Sequence, residues 1–131
     1  MEFVAQVIRE HLGGTEGDHR WVVDDDAGTL VGLAYFAPER MTDGTWNLYL
    51  IAVHPSRQRQ GHGTALFRHV EAALTTTGVR IVLVETSGQE SFEPTREFYR
   101  RCGYAEEARI RGFYKAGDDK IVFRKPLPAG R

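Results

Sequence analysis

Residues 46–66 constrain the fold more than any other stretch, because an apolar run passes through a polar loop into a helical pattern. The run Trp46–His54 is apolar at most positions, which predicts a strand buried on both faces. Gly61 and Gly63 follow the loop, and apolar residues then recur at helical spacing. The next strand-like run begins at Val79. A strand, a helix and a second strand in this order require a parallel crossover. The sequence therefore predicts a parallel strand pair inside a sheet.

Hairpin-like patterns flank this unit, and the predicted order of elements is α, β, β, β, α, β, α, β, β. The predicted helices are Glu2–Leu12, Thr64–Thr77 and Pro94–Cys102. The predicted strands are Arg20–Asp24, Thr29–Ala37, Trp46–His54, Val79–Thr86, Tyr104–Lys115 and Lys120–Lys125. We expect an α/β (or α+β) fold with a mixed, mostly antiparallel sheet, a central parallel pair and helices on both faces.

Composition limits the class of function. The 131 residues suit one domain, 1–131, and the formal net charge of −1 argues against a nucleic-acid partner. No apolar run approaches the roughly 18–20 residues of a membrane span, and an early acid argues against a signal peptide. The single cysteine, Cys102, excludes an internal disulfide and a multi-cysteine metal site. We expect a cytoplasmic domain without metal, nucleic acid or membrane partner.

The loop before the second predicted helix suits an anion. Unpaired backbone N–H groups and the helix dipole favour negative charge at a helix start, and Gly61 and Gly63 let a phosphate approach the main chain. Arg57, Arg59 and His62 would add charge at the rim. A nucleotide-binding P-loop would need a lysine after its second glycine, where Thr64 stands, and a dinucleotide fold would need a third glycine. A glycine-rich helix start that binds nothing is the remaining alternative.

Two segments carry a resemblance to a known family. The segment Gln58–Gly63, QRQGHG, resembles the Q/R-x-x-G-x-G/A signature of the GNAT superfamily of N-acetyltransferases. The segment Arg96–Tyr104, REFYRRCGY, resembles the FY-x-x-x-GF/Y segment of the same superfamily. The resemblance covers roughly residues 20–125. It implies a mixed sheet that binds acetyl-coenzyme A (acetyl-CoA) as co-substrate, with no metal.

The resemblance also implies which residues hold the coenzyme. The main-chain groups of the loop would bind the pyrophosphate, and those of the preceding strand would face the pantetheine arm and the acetyl carbonyl. The loop residues are Gln58, Arg59, Gln60, Gly61, His62, Gly63 and Thr64. The strand residues are Ile51, Ala52 and Val53. An amide at the acetyl carbonyl would form an oxyanion hole.

The implied reaction is acetyl transfer from acetyl-CoA to a primary amine by direct attack in a ternary complex. Tyr99 stands where the superfamily commonly places the acid that protonates the leaving thiolate; packing beside Phe98 is the alternative. The general base is less defined, because Trp46–Tyr49 carries no carboxylate. Glu85, at the end of the next strand, is the candidate, with a solvated strand-end carboxylate as the alternative. A non-catalytic coenzyme A-binding or regulatory module of the same fold is the second hypothesis.

The acceptor is expected to be a small-molecule amine or a peptide amine. Phe113 and Tyr114 either line its pocket or pack on their strand. Asp24–Asp26 is expected to form an acidic turn.

Two features depart from the superfamily pattern. The chain is predicted to begin in the helix Glu2–Leu12, so the first strand is apparently missing, and an unpaired edge would favour a homodimer. Phe92 occupies a position where members often have an asparagine that hydrogen-bonds the coenzyme arm, so no such contact is expected from this loop.

Overall fold

Seven strands form one sheet in the computed structural model, which describes residues 6–12 and 19–129. The strands are β1 (Gln6–Leu12), β2 (Arg20–Asp26), β3 (Thr29–Pro38), β4 (Thr45–Val53), β5 (Ile81–Ser87), β6 (Ala105–Lys115) and β7 (Asp118–Pro126). The helices are α1 (His62–Thr76) and α2 (Glu93–Arg101). The spatial order is β1-β2-β3-β4-β5-β7-β6.

The predicted fold class is confirmed. β4 and β5 form the parallel pair, which joins Thr45–Leu48 to Ile81–Val84, and every other neighbouring pair is antiparallel. The central crossover that residues 46–66 predicted is therefore present, with α1 between β4 and β5.

The predicted N-terminal helix is wrong over residues 6–12, which form β1 and pair antiparallel with β2. The first strand is thus present, and residues 2–5 of the predicted helix lie outside the described residues. The physical reason lies in the adjacent β-branched Val7 and Ile8, which favour a strand, and in a segment too short for a helix to be stable by itself. β2 is therefore paired on both sides, with β1 and with β3. The unpaired edge at β2 from which we expected a homodimer is absent.

Both described helices lie on one face of the sheet, here called the inner face. Phe67 of α1 packs against Phe98 and Tyr99 of α2, with ring centroids 5.6 and 5.8 Å apart, and Tyr99 packs against Phe123 of β7. The expectation of helices on both faces is therefore wrong for the described residues. β4–α1–β5 and β5–α2–β6 are both crossovers between parallel strands that advance in the same direction, so the right-handed rule places both helices on the same side.

The hydrophobic core fills the space between the helices and the inner face. Its fully buried large side chains alternate along the strands with residues of the opposite, outer face. These side chains are Val22, Phe36, Leu48, Val82, Val84, Ile121 and Phe123 from the strands and Leu66, Phe67, Val70 and Leu74 from α1.

The prediction that β4 is buried on both faces is wrong for its second half. Tyr49 and Leu50 are 46% and 42% exposed. Pairing with β5 ends at Leu48, and a bulge follows, because the partners of Tyr35 and Phe36 on β3 are Leu50 and Leu48. Tyr49 is the extra residue. A bulge bends its strand and increases the local twist, so β4 diverges from β5 beyond this point.

Candidate functional site

An opening separates the ends of β4 and β5. Beyond Leu48 and Val84 no pairing joins the two strands. On its other side β4 stays paired with β3, and the main-chain N–H of His54 donates to Val31 at 2.6 Å. Main-chain groups alternate between the two neighbours of a strand. The groups of Ile51 and Val53 therefore face the opening, whereas those of Ala52 face β3.

The loop after β4 begins with a 3-10 turn, Pro55–Arg57, and leads to Gly61, whose φ is 88°. Gly61 is the N-cap of α1, and no side chain hydrogen-bonds the first amides of this helix. The first turn of α1 also carries no acidic residue. These N–H groups are suited to an anion, as the sequence predicted.

Two carboxylates of β2 hold this loop. Asp26 forms an ion pair with Arg57, and Asp24 accepts a hydrogen bond from His62 Nδ1 at 2.9 Å. Both aspartates are buried, so the predicted acidic turn is wrong: Asp24 to Asp26 belongs to β2. The ion pair with Arg57 and the hydrogen bond with His62 explain why these carboxylates lie inside. The side chain of His62 is consequently buried and does not stand at the rim.

A groove of about 740 Å³ runs from the opening to α2. It is lined by seven of the predicted site residues: Ile51, Val53, Gln58, Arg59, Gly61, Gly63 and Thr64. Tyr99 also lines it, whereas Ala52, Gln60 and His62 do not. The Gln58 side chain donates to the Val53 carbonyl at 3.2 Å and so ties the loop to β4.

Positive charge predominates along the groove. Arg57, Arg59 and Arg101 line it, against the single acid Glu97. Sequence reasoning did not single out Arg101, although the pair of arginines that ends α2 is visible in the sequence. Phe92 ends a second 3-10 turn, Glu90–Phe92, is 41% exposed and does not line the groove.

Tyr99 is 6% exposed and reaches the groove from α2. Its ring packs against Phe67, Phe98 and Phe123. No described residue hydrogen-bonds its hydroxyl. Burial, followed by the nearby Tyr114 and Cys102, raises the pKa of Tyr99 to about 12. The phenol is therefore protonated at neutral pH.

Glu85 lies on the outer side of the opening and does not line the groove. Its Oε2 is 3.1 Å from Lys120 Nζ and accepts a hydrogen bond from Asn47 Nδ2 at 3.1 Å. The same Asn47 nitrogen donates to Glu39 Oε1 at 2.9 Å, which also accepts from the Tyr49 hydroxyl at 2.9 Å. The position of Glu39 beside Asn47 could not be placed from the sequence. It lies just past β3, and no local motif links it to β4 or β5.

A bulge interrupts the pairing of β6 with β7 between Ile110 and Lys115. The Asp119 carboxylate supports this bulge, because it accepts from Gly112 N–H at 2.9 Å and pairs with Arg109. Burial and then Glu85 raise the pKa of Tyr114, which also acts on Tyr99. Tyr114 thus interacts electrostatically with both candidate catalytic groups, and that it lines an acceptor pocket stays a prediction.

Among residues 6–12 and 19–129, no three His, Cys, Asp or Glu side chains are grouped to hold a metal ion. In the same part of the chain, no helix is long and apolar enough to cross a membrane.

The comparisons with known proteins agree on one family. The family model of the acetyltransferase (GNAT) domain matches residues 16–106. A solved GNAT-family protein from Desulfovibrio desulfuricans is 30% identical over 95% of this chain and 100% of its own, with a TM-score of 0.89. The ribosomal-protein-S18-alanine N-acetyltransferase of Escherichia coli is 24% identical over 89% of this chain and 75% of its own (TM-score 0.75). An aminoglycoside 6'-N-acetyltransferase complexed with coenzyme A is 19% identical over 88% and 77% (TM-score 0.76). No curated protein matches the sequence.

Proposed function

Since this chain belongs to the GNAT family of acetyltransferases, we propose that it transfers an acetyl group from acetyl-CoA to a primary amine by direct attack in a ternary complex. One observation carries the proposal. The opening between β4 and β5, the uncapped start of α1 and the Tyr99 phenol border a single groove.

The groove fits the coenzyme chemically. Its pyrophosphate suits the amides of residues 58–64 and the positive charge of Arg59 and Arg101, whereas Arg57 is paired with Asp26. The amide-bearing pantetheine arm suits the main-chain groups of Ile51 and Val53, which β5 leaves unpaired. The same arrangement lets one of these N–H groups donate to the thioester oxygen as negative charge develops on it. Such a donor contributes roughly 3–4 kcal/mol in the transition state.

Tyr99 acts on the leaving group. As the amine nitrogen bonds to the acetyl carbon and the C–S bond breaks, the electron pair passes to sulfur. The Tyr99 hydroxyl donates its proton towards that sulfur. The raised pKa keeps this proton in place at the pH where the enzyme works.

Glu85 takes the proton that the amine must lose. A simple ammonium has a pKa near 10.4, so only about 0.1% is neutral at pH 7. Glu85 lies on the side of the opening opposite Tyr99, so the base and the acid would face the reacting carbon from different sides. The acceptor is a small-molecule or peptide amine; relatives of this fold are named for aminoglycosides and for a ribosomal-protein alanine.

Thiol release from acetyl-CoA over a panel of amines tests the proposal, with coenzyme affinity measured separately by calorimetry. We expect Tyr99→Phe to lower kcat about 100-fold while the Kd of acetyl-CoA stays the same. Tyr104→Phe is the matched control, because Tyr104 also packs on Phe67 but its hydroxyl bonds Glu71 instead. Coenzyme binding without thiol release for any amine would instead support a non-catalytic module.

A further inference from the structure

We propose that the acceptor is a diamine or polyamine, and that Glu39 binds its second, protonated nitrogen on the outer face. The inference rests on the proposed function and names the acceptor class of the same site. It is carried by an outer-face cavity that the coenzyme groove does not reach.

This outer cavity has a volume of about 670 Å³. Alternate residues of β3 and the residue that follows the strand, Tyr35, Ala37 and Glu39, form one side of it, and Tyr49 forms another. Tyr49 is the bulge residue of β4, two positions before Ile51 of the groove. The outer cavity and the coenzyme groove therefore approach the same stretch of β4 from opposite faces of the sheet.

Glu39 is a carboxylate with neutral partners. It accepts from the Asn47 amide and the Tyr49 hydroxyl, both at 2.9 Å, and within the described part of the chain it forms no ion pair. Glu85 differs, since Lys120 stands 3.1 Å from it. Burial and the hydrogen bond to Glu39 raise the pKa of Tyr49 to about 12, which keeps this donor protonated. Glu39 thus offers a negative charge that no described side chain neutralises.

Aromatic rings line the same cavity or pack beside it. Tyr35 stacks on His19 with centroids 5.5 Å apart, and lies 4.6 Å from Trp21 and 6.0 Å from Tyr49. Aromatic faces attract cations, and the attraction strengthens when the site is partly shielded from water. A protonated nitrogen is the ligand that suits both the rings and the carboxylate. Arg40 also lines the cavity, and its charge opposes such a ligand.

Asn47 links the outer cavity to the reaction centre. Its side chain is 2% exposed, and its single nitrogen donates to Glu39 and to Glu85. Its buried Oδ1 has no hydrogen-bond partner among the described residues. The two carboxylates are therefore bridged by one amide nitrogen.

Glu39 and Glu85 suit two nitrogens of different charge in one acceptor. The attacking nitrogen must be neutral, so it cannot also be the cation that an ion pair holds. A second nitrogen can stay protonated at Glu39 while the first is deprotonated beside Glu85. An acceptor with a carboxylate in that place would be repelled by Glu39.

The test compares butane diamine, butylamine and aminobutyrate as acceptors for wild-type protein, Glu39→Gln and Arg40→Gln. We expect a KM for the diamine about tenfold below that of butylamine in wild type, and aminobutyrate to be the poorest acceptor. Glu39→Gln, which keeps an acceptor oxygen, should bring the diamine-to-butylamine ratio close to one. Arg40→Gln, the control in the same cavity, should keep or strengthen the preference.

A second readout separates the acceptor inference from the proposed function. Diamine binding is measured by calorimetry on protein saturated with coenzyme A, where no turnover occurs. Weaker binding in Glu39→Gln supports the inference even when no amine is acetylated, an outcome that would count against the proposed activity instead. Acetylation of all three amines with equal KM, or a Glu39→Gln variant that keeps the wild-type preference, would overturn the inference.

Discussion

Gly63→Ala should destabilise the protein by about 1–2 kcal/mol. A Cβ atom at position 63 would lie 2.8 Å from Cζ of Phe98 and 3.3 Å from its Cε2. Relaxed carbon contacts are near 3.5–4.0 Å, so the ring or the start of α1 must move by several tenths of an ångström. Phe98 has little room, because its ring packs against Phe67 and Tyr99. Overpacking of this kind costs about 1–3 kcal/mol, and alanine's better helix propensity offsets up to roughly 1 kcal/mol.

Urea unfolding followed by far-UV circular dichroism measures the effect. Gly61→Ala is the control, since nothing lies within 4 Å of its Cβ and only the positive φ is strained. In the Gly63→Ala background, Phe98→Leu removes the obstructing ring. The double variant should therefore lose less unfolding free energy than the sum of the losses in the two single variants. A Gly63→Ala protein as stable as wild type, or strictly additive effects, would refute the contact argument.

Three further expectations concern pH and stability. With a pKa of about 12, Tyr99 is only about 0.1% ionised at pH 9. Ionisation of Tyr99 should therefore cause no fall in kcat/KM below pH 10, and any fall seen there should persist in Tyr99→Phe. Tyr104→Phe breaks the 2.7 Å hydrogen bond to Glu71 and should lower the free energy of unfolding by about 1 kcal/mol in a urea titration. The pKa of Asp119 lies below its usual value because Gly112 N–H, and then Arg109, stabilise the carboxylate. The Gly112 amide should therefore be protected against hydrogen exchange above the ordinary carboxyl pKa of about 3.9, and the protection should be lost as pH falls through the lower pKa of Asp119 in the folded protein. In Asp119→Ala the protection should be lost at every pH.

Elements with a clear period were predictable. The alternation from Thr29, the IVLV run of residues 81–84 and the helical repeat after Gly63 all gave the right element, with ends shifted by a few residues. The segment before residue 13 was not predictable, because residues 6–12, which include Val7 and Ile8, fit a short helix or a strand equally well. Its pairing with β2 decides between them, and that pairing is a tertiary contact.

The candidate site divides in the same way. Tyr99 and the loop amides could be proposed because they belong to local motifs, and their roles stay predictions. Glu39 could not be, since its place is defined by hydrogen bonds to Asn47 and Tyr49 on another strand. A residue predicted for one role can also have a second, structural one. We expected Gly63 to give an anion access to the main chain, but the structure shows that it also admits the Phe98 ring.

The extra residue in β4 reverses the parity of the strand. Odd-numbered side chains point outward before Tyr49, as at Asn47, and inward after it, as at Ile51. Deleting Tyr49 would restore even alternation with Leu50 outward and Ile51 and Val53 still inward, so the loss would fall on the outer cavity that Tyr49 lines. A single inserted residue thus adds a wall to the compartment on one side of the sheet and leaves the walls of the other compartment in place.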